Sequence, residues 1–208
     1  MNLSELLRER TADAHRAAER SDFVARFVQG RLDRDLHARH LLALHGVYAA
    51  LEDALERRKD DPRLGAFAFP QLWRRVPIER DLEFLRGPAW RAERPVAASL
   101  AYSDRLRAIA SSHPVRLVAH SYVRYLGDLS GGQVLRRLAA QQLELDGDGL
   151  RFYEFPAIPD PPAFKAEYRR RLDDLELAED ERDAVVEEAC TAFALNAAIF
   201  DELVAGAS

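Results

Sequence analysis

Asp128 is the lone carboxylate on a stretch almost bare of side chains. The run from Tyr122 to Gln133 keeps apolar helical spacing through Tyr122, Tyr125, Leu126 and Leu129, yet it holds Gly127, Gly131 and Gly132. Each glycine inside a helix costs about 1 kcal/mol relative to alanine, so three need a reason. Gly127 and Gly131 are four apart and share a face, with Asp128 and Gly132 beside them. A flat ligand lying against the backbone fits such a strip, with one acid at hand for protons or water. A close helix–helix crossing or a kink fits it equally, and the strip alone leaves both open.

Other groups with chemical potential are fewer. His15 has Glu19 one turn further on. A carboxylate that reaches one ring nitrogen, directly or through water, fixes the tautomer and leaves the other nitrogen for a metal; the alternative is an ordinary surface pair. His37 and His40 are three apart with no evident third ligand and read as a solvated face. No glutamate is followed three residues later by histidine, which excludes a di-iron carboxylate bundle. Cys190 has no catalytic partner at recognisable spacing and reads as a packing residue. Lys165 and Arg169, four apart in a basic run with Arg170 and Arg171, can hold ligand carboxylates or form a solvated face. Arg8 and Arg10 add positive charge near the N-terminus. The pentapeptide Leu129-Ser130-Gly131-Gly132-Gln133 spells the signature of ABC-type ATPases, but no Gly-Lys pair exists to build their phosphate loop, so that function is excluded.

These residues need helices to position them. Periodicity predicts a first helix capped by Ser4 and a second, capped by Asp33 or Asp35, with the stripe Leu36, His40, Leu44, Val47, Tyr48, Leu51 and Leu55. Short helices and turns follow across the proline- and glycine-rich segment 60–95. Further helices are expected at about 96–110, from Pro114 through the glycine run, at 164–175 and at 179–204. The prolines and aromatic residues between Leu150 and Pro162 read as an ordered loop packed by its own rings. No convincing strand appears. The expected fold is all-α, one domain over residues 1–208.

With 208 residues and 48% hydrophobic content, the chain is long enough for one sizeable core. A net charge of −5 speaks against a nucleic-acid partner. One cysteine excludes an intrachain disulfide, and no apolar run approaches a membrane span, so a cytoplasmic protein without an anchor is expected, ending at Ala205-Gly206-Ala207-Ser208.

Nearly the whole chain resembles the haem oxygenases of the mammalian, cyanobacterial and bacterial type. The stretch Tyr-x-Arg-Tyr-Leu-Gly-Asp-Leu-Ser-Gly-Gly-Gln at 122–133 looks like their distal helix, and Thr11-x-x-x-His15-x-x-x-Glu19 like their proximal helix. Tyr48-Ala49-Ala50-Leu51-Glu52, Phe67-Ala68-Phe69-Pro70, Asp81-Leu82, Gly87-Pro88-x-Trp90 and Ala192-Phe193-x-x-Asn196 match further segments in the family's order. The resemblance implies haem held between a proximal helix and a kinked, glycine-rich distal helix, and opened by dioxygen to biliverdin IXα, carbon monoxide and ferrous iron. It makes His15 the iron ligand supported by Glu19, places Gly127, Gly131, Tyr122 and Phe193 against the haem, and sets Arg8, Lys165 and Arg169 at its propionates. It assigns Asp128, with Arg124, Tyr48 and Asn196, to the distal water network. Departures are Ala12 in place of a propionate-side lysine and Val123 in place of threonine. The chain carries no flavin or nicotinamide motif, so an external ferredoxin or flavoprotein reductase is the expected electron donor. The expected assembly is a monomer.

Overall fold

In the computed structural model, residues 1–206 are described; Ala207 and Ser208, part of the expected anchor-free tail, lie outside them. Ten α-helices are present among the described residues: α1 Leu3–Arg10, α2 Ala12–Glu19, α3 Asp22–Val28, α4 Arg34–Glu56, α5 Arg75–Arg86, α6 Ala97–Ser112, α7 Leu117–Ser130, α8 Gly132–Leu143, α9 Pro161–Asp173 and α10 Glu179–Ala205. Short 3-10 turns fill much of the remainder, and no strand occurs among the described residues. The fold is all-α, and no helix among those residues is long and apolar enough to cross a membrane.

Local chemistry sets the boundaries. Asn2, not Ser4, caps α1, in a reciprocal capping box with Glu5. Ser4 is buried instead and ties α1 to α9, its amide and hydroxyl donating to the Asp173 carboxylate at 2.8 and 3.0 Å. The expected first helix is two helices. Thr11 interrupts it with φ −99° and ψ 1°, while its hydroxyl donates back to the Leu7 carbonyl at 2.7 Å. Asp33 caps α4, accepting from the Leu36 amide at 2.7 Å.

The core is assembled by the long helices. The whole predicted α4 stripe is buried, and fully burying each large apolar side chain contributes about 1.5–3 kcal/mol. α4 packs on α5 and α6, and α10 packs on α6 and α7. At the α4–α6 crossing, a Cβ on Gly46 would lie 3.2 Å from the Ser103 hydroxyl, so this glycine permits the close approach.

Two further expectations are overturned. His37 and His40 are buried, not solvated. His37 Nε2 lies 2.8 Å from the Gly149 carbonyl, and burial lowers its pKa to about 4. The His40 ring is caged by Phe23, Phe152 and Phe200 at centroid distances of 4.6, 6.3 and 6.0 Å; burial, His37 and Arg124 hold its pKa well below the ordinary 6.5. The stripe position of His40 decides its burial more strongly than the polarity of imidazole. Cys190, expected to pack, is exposed on α10, its thiol 3.7 Å from the Arg10 carbonyl.

Candidate active site

The glycine run turns from α7 into α8. Gly131 stays in the helical region at φ −68° and ψ −31°, its amide bonded to the Gly127 carbonyl at 2.8 Å, and the helix restarts at Gly132. A Cβ placed on Gly127 would meet nothing within 4 Å, and one on Gly131 would meet only the Gly127 carbonyl, at 3.6 Å. Both residues are exposed. The strip is therefore no helix crossing, unlike Gly46, and its bare face is open. Gly132 behaves differently: it is buried, and its Cβ would lie 3.8 Å from the Tyr153 ring.

Beside the strip, four side chains from three helices form one network. The Tyr48 hydroxyl on α4 donates to Asp128 Oδ2 on α7. Arg124, one turn before Asp128, donates through Nε and Nη2 to the Tyr48 oxygen at 3.1 and 3.0 Å, and through Nη1 to Asn196 Oδ1 on α10. Its Nη2 is also 3.7 Å from Asp128 Oδ1. Tyr48, Arg124 and Asn196 are buried. Burial pushes the Asp128 carboxyl up; Arg124, the Tyr48 hydrogen bond and Arg74 pull against that without cancelling it. The carboxylate therefore sits in a partly buried network beside the open strip, not in an exposed ion pair.

His15 lies on α2, a helix with no buried residue. Its Nδ1 is 3.6 Å from Glu19 Oε1, too long for a direct hydrogen bond but short enough for an ion pair or a water bridge. The His15 ring packs edge-on to Phe193 of α10 at 6.0 Å. Phe193 lies three residues before Asn196, so one face of α10 meets both the histidine and the acid network. A second link runs through Tyr122 of α7. Burial raises its hydroxyl pKa, opposed by Arg169, Thr11 and Arg8, which places two predicted cations around it. Lys165 Nζ donates to the Ser130 hydroxyl, beside Gly131, at 3.1 Å. Arg8 and Arg169 are exposed and Lys165 half-buried. Arg170 and Arg171 are occupied by Glu167 instead.

The open strip, the His15 imidazole, whose Nε2 has no hydrogen bond among the described residues, and the cations Arg8, Lys165 and Arg169 are the groups that could hold a flat ring bearing a metal and carboxylates.

Several supporting charges were not singled out by sequence reasoning. Glu52 is buried, accepts the Arg74 and Arg75 amides at the start of α5, and is raised to about 7 by burial. Buried Arg74 lies 3.9 Å over the Phe155 ring and donates to the Leu72, Phe152 and Glu154 carbonyls. His120 of α7 bridges Tyr102 of α6 at 3.1 Å and Glu188 of α10 at 3.0 Å, with Arg105 and Arg116 completing the cluster. His120 directly precedes Ser121 and Tyr122 in the matching segment, yet neither its spacing nor that of Glu188 signals a pair 68 residues apart.

Comparison with known proteins gives the family. The family described as heme oxygenase matches residues 1–202. Heme oxygenase 1 of Rattus norvegicus is 42% identical over 208 residues, covering 98% of this chain and 72% of the rat protein. Heme oxygenase 1 of Synechocystis is also 42% identical, covering 98% of this chain and 85% of its own. Among solved structures, the Synechocystis heme oxygenase-1 complex with heme superposes with a TM-score of 0.93, covering 98% of this chain and 92% of that one. The Leptospira interrogans heme oxygenase superposes with a TM-score of 0.92 at 43% identity, covering 97% and 100%. With the family match spanning almost the full length and the fold shared throughout, the chain belongs to the haem oxygenase family.

Proposed function

We propose that in this haem-degrading oxidoreductase His15 ligates the haem iron, Gly127 and Gly131 cover one face of the ring, and Asp128 supplies protons on that face. Haem is both substrate and cofactor and brings the iron chemistry that activates dioxygen. The protein's own residues bind, orient and move protons. Glu19, through water, would hold His15 Nδ1 and so leave Nε2 to the metal. Arg8, Lys165 and Arg169 fix the propionates and thereby the in-plane rotation of the ring; Tyr122 and Phe193 line it. Tyr48 and Arg124 orient the Asp128 carboxyl, Asn196 orients Arg124, and Asp128 would hold a water and its proton at the open face of the strip. The glycine strip would keep side chains off the ring face and leave the ring edge, with its α-meso carbon, as the place of oxidation. The products are biliverdin IXα, carbon monoxide and ferrous iron. Electrons come from a ferredoxin or flavoprotein reductase, and the working unit is a cytoplasmic monomer folded as one domain.

The observation that carries this reading is an unobstructed glycine strip beside a fully assembled acid network. Asp128→Ala tests it. Haem binding and the histidine-bound spectrum should survive, while ring opening falls about 10²–10⁴-fold, the usual contribution of a positioned acid or base. Peroxidase-like oxidation of an added phenol should appear in its place. Chromatography of the wild-type product should give the IXα isomer. Ring opening at the wild-type rate in Asp128→Ala would reduce the carboxylate to an ion-pair residue and remove this mechanism.

A further inference from the structure

The part of the glycine helix beyond Gly131 is gripped from behind by an irregular segment. The Cβ position of Gly132 is 3.8 Å from the Tyr153 ring, Gln133 Nε2 donates to the Tyr153 carbonyl at 2.7 Å, and Arg136 pairs with Glu154 at 2.6 Å. The Phe152 ring lies 5.9 Å from that of Tyr48. Residues 149–155 thus touch both α8 and the acid network.

That segment has little internal structure to fix it. It contains one 3-10 turn, Arg151–Tyr153, and begins at Gly149, which like Gly147 just before it has φ +88°. The amides of Tyr153 and Glu154 bond within it, to the Leu150 and Arg151 carbonyls, but three others are satisfied from outside. A single carboxylate, Asp81 of α5, accepts from the amides of Gly149, Arg151 and Phe152 at 2.9, 3.0 and 2.8 Å. Asp81 is fully buried. His37 binds the Gly149 carbonyl, and Arg74 donates to those of Phe152 and Glu154. Three N–H groups, two of them in buried bonds, would each lose this acceptor, and the segment would open to reach water.

We propose that Asp81 is a positioning residue for the glycine helix, acting through residues 149–155 on α8 and so on how closely that helix covers the haem. The effect on haem rests on the placement of haem against Gly127 and Gly131; the effect on α8 does not. Two variants test it: Asp81→Asn, which keeps the shape but replaces one acceptor by a donor, and the pair Gln133→Ala with Arg136→Ala, which cuts the same link at the surface and spares the core.

Amide exchange in the haem-free protein is the first measurement. Both variants should exchange about tenfold faster over 133–143, equal to about 1.4 kcal/mol of local opening, with 118–126 unchanged. Unchanged exchange over 133–143, or acceleration spread evenly over the chain, overturns the proposal. Transfer of bound haem to excess apomyoglobin is the second measurement. It should also run about tenfold faster, with the histidine-bound spectrum intact. Faster exchange with unchanged haem transfer would keep Asp81 as the holder of α8 and overturn the seating of haem on the glycine strip.

Discussion

α2 and α7 carry His15 and Asp128, the two groups on which the proposed chemistry rests, and they are built in opposite ways. Ten of the fourteen α7 residues are buried, and its Arg124 reaches partners on α4 and α10. No residue of α2 is buried, and its His15 is exposed. The acid network is therefore assembled by the same packing that folds the chain. The histidine side lacks a covering layer, which a flat apolar ring with polar edges would supply. Local stability follows contact density, so α2 belongs to the easily opened part of the molecule and α7 to the slowly opened part.

The sharpest break of that contrast is His15→Ala, because it removes the one predicted metal ligand without touching the core. Haem should still bind through pocket contacts, but the histidine-bound spectrum and turnover should be abolished, and added imidazole should restore part of both. Apo stability should change by no more than about 0.5 kcal/mol, as for a surface substitution. Normal turnover in the variant would assign the iron to another residue and leave α2 without a role.

The same contrast explains what could be read from sequence. Long helices with regular stripes, α4 and α10 above all, were legible because one helix face facing one core leaves a 3.6-residue period. The Arg124–Asp128 spacing was legible as a helical pair, but its junction with Tyr48 and Asn196 came only through family resemblance, because those residues are brought in by α4 and α10. The break at Thr11 had no periodic signature, since α1 and α2 remain nearly in register around it. His37 and His40 were misread because the rings around them come from α3, α10 and the 149–155 segment, all distant in sequence. Asp81 stood only in the matched pair Asp81-Leu82, with no cue to its role: its partners are backbone amides, and backbone leaves no residue type to read.

Acid should weaken the buried side in a way His37 can isolate. Its folded pKa of about 4 lies below the ordinary 6.5, so the unfolded chain binds a proton first as pH falls. Stability is then complete above about pH 6.5 and drains between 6.5 and 4, by up to about 3 kcal/mol for this one group. Glu52, at about 7, and Asp81, at about 6, act oppositely. The folded chain protonates them before the unfolded chain does, so they favour folding as pH falls through the same range. The raw pH profile mixes both signs, but the difference between wild type and His37→Gln does not. Denaturant midpoints at pH 7 and 5 should show wild type losing more stability than the variant. Equal losses would mean that His37 is not held neutral.

The smallest expected effect separates cover from core on the glycine strip itself. Gly131→Leu adds a branched side chain where nothing but the Gly127 carbonyl lies near the Cβ position. The backbone there is ordinary right-handed helix, so no strain opposes the change. Replacing a helical glycine should stabilise the haem-free protein by up to about 1 kcal/mol. The same side chain occupies the face proposed for the ring, so haem affinity or oxygenation should fall. Gly46→Leu supplies the opposite pattern, because its Cβ would press on Ser103 at 3.2 Å between α4 and α6, and such overpacking costs about 1–3 kcal/mol. Chemical denaturation and haem titration of the two variants give a crossed result if the strip is a binding face: Gly131→Leu more stable but poorer at binding, Gly46→Leu less stable. If Gly131→Leu instead unfolds more easily and binds haem as well as wild type, the strip is a packing surface and the contrast with Gly46 disappears.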